Sequence, residues 1–314
     1  MLHEVSSDVA AYWDENRDKS KDPTFWMAHP ACRAAINRRV TGNPHEWPLG
    51  WFKRVYVPKP FEHGVSWGCG LGPLERALIR DQIVNEIDAF DISPASLKDA
   101  RNEAAREGLI GINYDIGDFN DPHLDGGRYD IAFFHQSLHH VSALERLFRR
   151  LVLALRPGAL VYVDEYVGPS RHEWRDEDLR LAQAILDMLP AEAKLGRRVE
   201  LPIEPNDTSE AIRSSEIEAF LRSFLDILAW RPYGGQVVDL VLPLVRHDWA
   251  HSEAGAQHLQ AMMNVEEYEL MTRPASNHHV VAVGRIKPLR RLGRTLSMQV
   301  LQALKRRASR LWAE

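Results

Sequence analysis

The segment Val65-Ser66-Trp67-Gly68-Cys69-Gly70-Leu71-Gly72, followed by Ala89-Phe90-Asp91-Ile92-Ser93, constrains this chain more than any other feature. A short apolar strand enters a loop with three glycines, a helix follows, and a second strand ends in a carboxylate about 20 residues on. An open α/β fold holds an adenosine-bearing ligand with this layout. The glycines let the backbone turn tightly and approach the ligand, and Asp91 is placed to accept hydrogen bonds from ribose hydroxyls. Spacing narrows the ligand further. A dinucleotide fingerprint puts its third glycine three positions after the second, which here is Pro73; the third glycine comes early, at Gly72. No Lys-Ser or Lys-Thr pair follows, so the loop is no P-loop. It suits a nucleoside with no phosphate to neutralise.

Later segments repeat the alternation of strand and helix. Ile112 to Phe119 reads as a third strand ending in Gly117-Asp118-Phe119, where a carboxylate can accept from an exocyclic amine and an aromatic edge can wall off a base. Tyr129 to His135 is a continuous apolar run, as expected of a parallel strand covered on both faces. Gln136-Ser137-Leu138-His139-His140-Val141, a helix over Leu144 to Leu155, the turn Arg156-Pro157-Gly158 and a strand from Ala159 to Val163 follow. The last apolar strand is His278 to Gly284.

On these segments the chain resembles the class I S-adenosylmethionine-dependent methyltransferases, whose first motif reads apolar-apolar-x-x-Gly-x-Gly-x-Gly. The Leu-His-His and Arg-Pro-Gly segments are similar to those found around the family's fourth helix. The resemblance implies an α/β fold: a Rossmann-like, seven-stranded methyltransferase sheet whose last strand is antiparallel and inserted between strands five and six. It implies S-adenosyl-L-methionine as cofactor, held by Gly68, Cys69, Gly70 and Gly72 of the loop, by Asp91 and Ile92, by Asp118 and Phe119 at the adenine, and by His135 at the end of the fourth strand. One departure stands out. The acid usual two positions before the first glycine is Ser66, and Trp67 replaces an aliphatic residue. The missing charge is expected from Glu75 or from an acid of the amino-terminal segment.

Methyl transfer is an in-line displacement, so the protein supplies approach, orientation and, for a hydroxyl acceptor, a base. Ligands meet such sheets at the carboxyl ends of the parallel strands. His139 or His140 is therefore the expected base, with Glu165 at the end of the fifth strand orienting it or binding a sugar hydroxyl; Asp164 and Glu165 have the alternative of pairing with Arg171. His172 and Trp174 are acceptor-pocket candidates. A catechol-type cation site needs Asp and Asn after strands four and five, whereas imidazoles stand there, so no metal is expected. The absence of an Asp/Asn-Pro-Pro-Tyr motif favours O- over N-methylation. The Trp-rich amino-terminal segment and Glu165-Tyr166-Val167-Gly168-Pro169-Ser170-Arg171 resemble bacterial methyltransferases acting on surface glycans or small metabolites. A glycan or other hydroxylated small molecule is the implied acceptor.

With 314 residues, 45% hydrophobic and 26% charged, one elaborated domain is expected. Residues 1–63 read as a helical cap, 64–284 as the core with an acceptor-pocket insertion at 170–213, and 285–314 as a basic tail. That tail carries nine Lys or Arg and one Glu, a balance of +8, which leaves the rest of a chain of net charge −5 at −13. The acidic body argues against nucleic acid. The tail reads as a basic amphipathic helix for a membrane surface, for a partner subunit, or as a solvated end. Two cysteines, no leader and no spanning segment suit the cytoplasm, with attachment to the inner leaflet through the tail. A catalytically silent scaffold of the same fold, or a nicotinamide-dependent oxidoreductase, remain as alternatives.

Overall fold

A computed structural model describes residues 2–16, 25–171, 173–203, 206–273, 277–288 and 291–292. Three helices come first: α1 (Leu2–Glu15), α2 (Pro30–Thr41) and α3 (Pro48–Tyr56). The alternation then begins with β1 (Phe61–Trp67), α4 (Pro73–Arg80), β2 (Val84–Asp91), α5 (Pro94–Arg106), β3 (Ile112–Ile116) and β4 (Tyr129–His135). It continues through α6 (Leu144–Ala154), β5 (Leu155–Tyr166) and α7 (Asp176–Met188). The chain closes with α8 (Ile217–Phe224), β6 (Leu225–Gly234), α9 (Val238–Val241), α10 (His247–Ala250), α11 (Glu253–Thr272) and β7 (His279–Ile286).

The sheet has the order β3-β2-β1-β4-β5-β7-β6. The first five strands are parallel, and β7 runs antiparallel between β5 and β6. The seven-stranded, Rossmann-like expectation holds in full. Pleating divides the apolar residues between two cores. Phe133 and Tyr162 enter one, with Trp26, Ile36 and Phe52 of the amino-terminal segment. Phe134, Val161 and Val163 enter the other, against Leu144, Leu147, Phe148 and Leu151 of α6, which recur at helical spacing, and Phe220 and Phe224 of α8. Helix starts follow local chemistry: the Ser93 side chain accepts from Ser96 N at the head of α5, and Ser252 accepts from Gly255 N at the head of α11.

Three local expectations shift. Strand β1 begins at Phe61, inside the segment assigned to the cap. Strand β5 begins at Leu155, and the pairing with β4 jumps from Tyr129↔Leu155 to Ile131↔Leu160, so Arg156-Pro157-Gly158 forms an irregularity within the strand. The apolar run Val237 to Val245, undecided by periodicity, is a helical turn followed by a 3-10 turn, Leu242–Leu244. Of the three early helices, α1 lies against α5, whereas α2 packs on β6 and α11. Residues 289–290 and 293–314, with most of the proposed amphipathic helix and Trp312, lie outside the described residues, as does His172. No helix among the described residues is long and apolar enough to cross a membrane.

Candidate active site

The carboxyl ends of β1, β2 and β4 open onto a cavity of about 340 Å³. Asp91, the last residue of β2, organises its floor: Oδ2 accepts Gly70 N at 2.7 Å and Oδ1 accepts Ser93 N at 2.9 Å. Burial pushes the Asp91 carboxyl above the ordinary aspartate range, opposed by the N–H groups of Ser93 and Gly70. Gly68 has φ +69°, and a Cβ there would stand 2.6 Å from Ser137 Cβ, so only glycine lets the loop after β1 pass the loop after β4. Asp118 and Phe119 line the cavity opposite. From α1 come Val9 and Trp13, and Asp14 Oδ1 accepts Ser93 Oγ at 2.5 Å and Ala95 N at 3.1 Å. A base and a ribose fit this chemistry: Phe119, Ile92 and Trp13 give apolar walls, and Asp91 and Asp118 give acceptors.

Of the residues implied for the cofactor, Gly68, Gly70, Asp91, Ile92, Asp118 and Phe119 line this cavity together; Cys69, Gly72 and His135 do not. Cys69 turns inward to Ala89, Leu97, Ala100 and Tyr114. Gly72, φ +71°, precedes α4, and a Cβ there would sit 2.1 Å from the Tyr114 hydroxyl. His135 is half exposed, with Nε2 3.8 Å from Asp164 Oδ2. It borders a small recess of about 30 Å³ with Ser66, Trp67 and Glu75. Glu75, one of the acids expected to replace the missing charge, therefore borders the same recess as Ser66. Glu75 is 1% exposed, and burial pushes its carboxyl up to about 7. The Ser66 hydroxyl lies beside it and eases that shift, but neither Ser66 Oγ nor Glu75 Oε2 meets hydrogen-bond geometry, so burial prevails.

Beyond the cavity's other end, a 3-10 turn, Leu138–His140, carries the histidine pair. Glu165, fully buried at the end of β5, anchors it: Oε2 accepts Ser137 N at 2.7 Å and Leu138 N at 2.6 Å, and Oε1 accepts Tyr166 N at 2.8 Å and lies 2.5 Å from His139 Nδ1. Arg171 does not pair with Glu165; its guanidinium holds the Glu210 and Asp207 carbonyls. His140 Nδ1 lies 3.1 Å from Ser209 Oγ, which donates to Asp207 Oδ1 at 2.6 Å. The 206–213 segment is pinned here by Ile212 N, which donates to His139 O. Among the described residues, His139, His140 and Glu210 form a group whose ligand-type atoms lie within 4.8 Å of one another. Trp174 packs on His278, outside the cavity lining.

Several site residues escaped the sequence reading: Gln136 and Ser137 on the cavity wall, Trp13 and Asp14 from α1, and Thr208 to Glu210. Gln136, at φ +51°, makes the sharp turn after β4, and its amide donates to the Tyr233 hydroxyl. Asn206-Asp207-Thr208-Ser209-Glu210 carries only a polar, turn-like signal.

Residues 65–163 match the family described as "Methyltransferase domain". Over that third of its length the chain is similar to methyltransferase domains. That stretch runs from the end of β1 into β5 and holds the glycine loop, Asp91, Asp118 and the histidine pair. Among curated proteins, the chain is 25% identical over 170 residues to sterol methyltransferase-like 2 of Botryococcus braunii, covering 54% of this chain and 40% of that protein. It is 27% identical over 128 residues to norajmaline N-methyltransferase of Rauvolfia serpentina, covering 39% and 43%. These matches span less than half the length of the curated relatives. Among solved structures, it is similar to phosphoethanolamine N-methyltransferase 2 of Haemonchus contortus in complex with S-adenosyl-L-methionine, with a TM-score of 0.48, 15% identity, and coverage of 84% of this chain and 58% of that one.

Proposed function

We propose that the protein is an S-adenosyl-L-methionine-dependent methyltransferase that O-methylates a hydroxylated small molecule, a sugar or glycan among them. The observation that carries this reading is the convergence of Asp91, Asp118 and Phe119 on one cavity, across a glycine loop whose Gly70 N–H is held by Asp91. Asp91 receives the ribose, Asp118 and Phe119 the adenine, and Gly68 and Gly70 keep the backbone close. Glu75, on the neighbouring recess, is the acid taken to meet the ammonium group in place of the missing motif acid. When bound, S-adenosyl-L-methionine supplies an electrophilic methyl group and a thioether leaving group.

The chain's own part lies at the histidine end. Glu165 fixes His139 by accepting from Nδ1, which leaves Nε2 as the basic atom. Such a base takes the proton of an acceptor hydroxyl, and Glu165 steadies the charge that the ring then carries. His140 stands on the cavity wall with Thr208, Ser209 and Ile212, where the acceptor is taken to lie. The 170–213 insertion shapes that end of the pocket. The acidic body speaks against nucleic acid as substrate. A cytoplasmic setting, with the 285–314 tail as a contact for the inner leaflet or a partner subunit, completes the reading.

Isothermal calorimetry with S-adenosylhomocysteine and with reduced nicotinamide dinucleotides tests it. Saturable binding of the first alone is expected; binding of a dinucleotide in its place overturns the reading. Ser66 in place of the motif acid, with the basic tail, favours one competitor, a silent scaffold, which binds neither or binds S-adenosylmethionine without turnover on any acceptor.

A further inference from the structure

We infer that His139, His140 and Glu210 form a binding site for a divalent first-row transition cation such as Zn²⁺, set beside the cavity and reaching it through His140. The inference reverses the expectation that imidazoles after the fourth strand exclude a metal; that expectation considered only all-oxygen sets, and two imidazoles with one carboxylate are a donor set of a different kind.

The tautomers carry the case, as the hydrogen-bond network assigns them. His139 Nδ1 faces the Glu165 carboxylate, which only accepts, so Nδ1 bears the proton. His140 Nδ1 faces Ser209 Oγ, whose own proton goes to Asp207, so this Nδ1 is a donor too. In the neutral form of both rings the lone pair therefore sits on Nε2. Both Nε2 atoms turn to the same carboxylate: His139 Nε2 is 3.6 Å from Glu210 Oε1, and His140 Nε2 is 4.0 Å from Glu210 Oε2. A tetrahedral zinc with ligands at ~2.0–2.2 Å separates neighbouring donors by roughly 3.3–3.6 Å. The two histidine-to-glutamate separations, to different oxygens of Glu210, lie at or within ~0.4 Å of that range, and the three donors as a set lie within 4.8 Å of one another, so the group tightens around a cation.

The surroundings match what a metal-ligating histidine requires. Such histidines donate their second ring N–H to a carboxylate or other acceptor, which fixes tautomer and orientation. His139 has Glu165, itself locked by three backbone N–H groups. His140 has Ser209 backed by Asp207, and Ser209 N also donates to Asp207 Oδ1. The rings are packed 4.1 Å apart between centroids, and Trp13 stands edge-on to His140 at 5.2 Å. Both side chains are over nine-tenths buried, whereas Glu210 is 28% exposed. Three protein ligands leave further coordination positions for water or for an acceptor oxygen. Nitrogen donors favour Zn²⁺, Co²⁺ or Fe²⁺ over Mg²⁺ and Ca²⁺. An Nε2 that ligates a cation cannot also serve as a base, so the loaded site activates an acceptor by polarising its oxygen. This rests on the methyltransferase reading for its acceptor end and replaces the His139 base there with a cation, while cation binding itself stands independently of it.

The test uses the full chain, stripped with a chelator and titrated with Zn²⁺ or Co²⁺ in calorimetry, with Co²⁺ also followed by its visible absorption and bound metal counted by mass spectrometry. One equivalent of either is expected, with no competition from Mg²⁺. Glu210→Gln and Glu210→Ala should weaken uptake by at least ~100-fold, and Glu165→Gln, which removes the orienting carboxylate and disturbs the backbone N–H groups it holds, by ~10–100-fold. S-adenosylhomocysteine binding, measured in parallel on each variant, reports that the fold is intact. Wild-type protein that binds the nucleoside but takes up neither metal saturably overturns the inference and spares the cofactor reading. So does undiminished uptake by both Glu210 variants. Metal uptake without nucleoside binding upholds the site and overturns the methyltransferase reading.

Discussion

Glu165 and His139 are held together at 2.5 Å, Oε1 to Nδ1, although one closes β5 and the other lies in the turn after β4. The same carboxylate accepts three backbone N–H groups. Replacing it by an amide exchanges one acceptor oxygen for a donor that faces other donors. Glu165→Gln is therefore expected to lose ~1–3 kcal/mol for each group left unsatisfied. Urea unfolding should show this as a lower midpoint, while S-adenosylhomocysteine still binds, because Glu165 lines no part of the nucleoside end.

Asp91→Ala removes the acceptor of the Gly70 and Ser93 N–H groups and the proposed ribose contact in one step. Hydrogen bonds to a charged group are worth ~1.5–3 kcal/mol each, so calorimetry should find the dissociation constant of S-adenosylhomocysteine raised at least ~10-fold. An unchanged constant would remove Asp91 from the site.

The buried carboxyl of Glu75 gives a pH dependence of known sign. Its folded-state value, about 7, lies above the ordinary 4.5, so the folded protein keeps a proton that the unfolded chain gives up. The associated stability is present in full below pH 4.5 and is lost as pH rises towards 7. Glu75→Gln keeps a neutral group throughout. Its stability relative to wild type should climb across that window by at most ~3 kcal/mol, in urea titrations at a series of pH values.

Two glycines of one loop should respond differently to alanine. At Gly70, φ +51°, a Cβ meets nothing within 4 Å, so the cost is the backbone's own ~1–2 kcal/mol. At Gly72 the same strain is joined by a Cβ 2.1 Å from the Tyr114 hydroxyl, which is buried and donates to the Gly72 carbonyl. Thermal unfolding should place Gly72→Ala clearly below Gly70→Ala.

Sheet order and the gathering of Gly68, Gly70, Asp91, Asp118 and Phe119 at one cavity were legible in the sequence because each depends on short-range pattern. Val65 to Gly72 codes its own turn, Tyr129 to His135 is apolar for want of an exposed face, and Asp91 and Asp118 follow their strands directly. Cys69 and Gly72 fall in the same loop, yet strand pleating and the start of α4 turn them from the ligand side, which spacing alone does not tell. Trp13, Asp14 and Glu210 reach the site over long sequence separations from segments with no period of their own. The amino-terminal aromatics looked alike on paper; Trp13 lines the cavity while Trp26 and Phe52 fill the core with Phe133 and Tyr162.

The histidine end joins parts of unequal permanence. His139 and His140 are tied to the sheet by Glu165, whereas Glu210 belongs to a loop fastened to them by the bond from Ile212 N to His139 O and by Arg171 beneath it. Exchange of that loop would therefore alter the proposed third donor and the wall that Thr208, Ser209 and Ile212 give the cavity, while Asp91, Asp118 and the glycine loop keep their places on the sheet. New acceptor preferences would then arise by loop replacement on an unaltered frame.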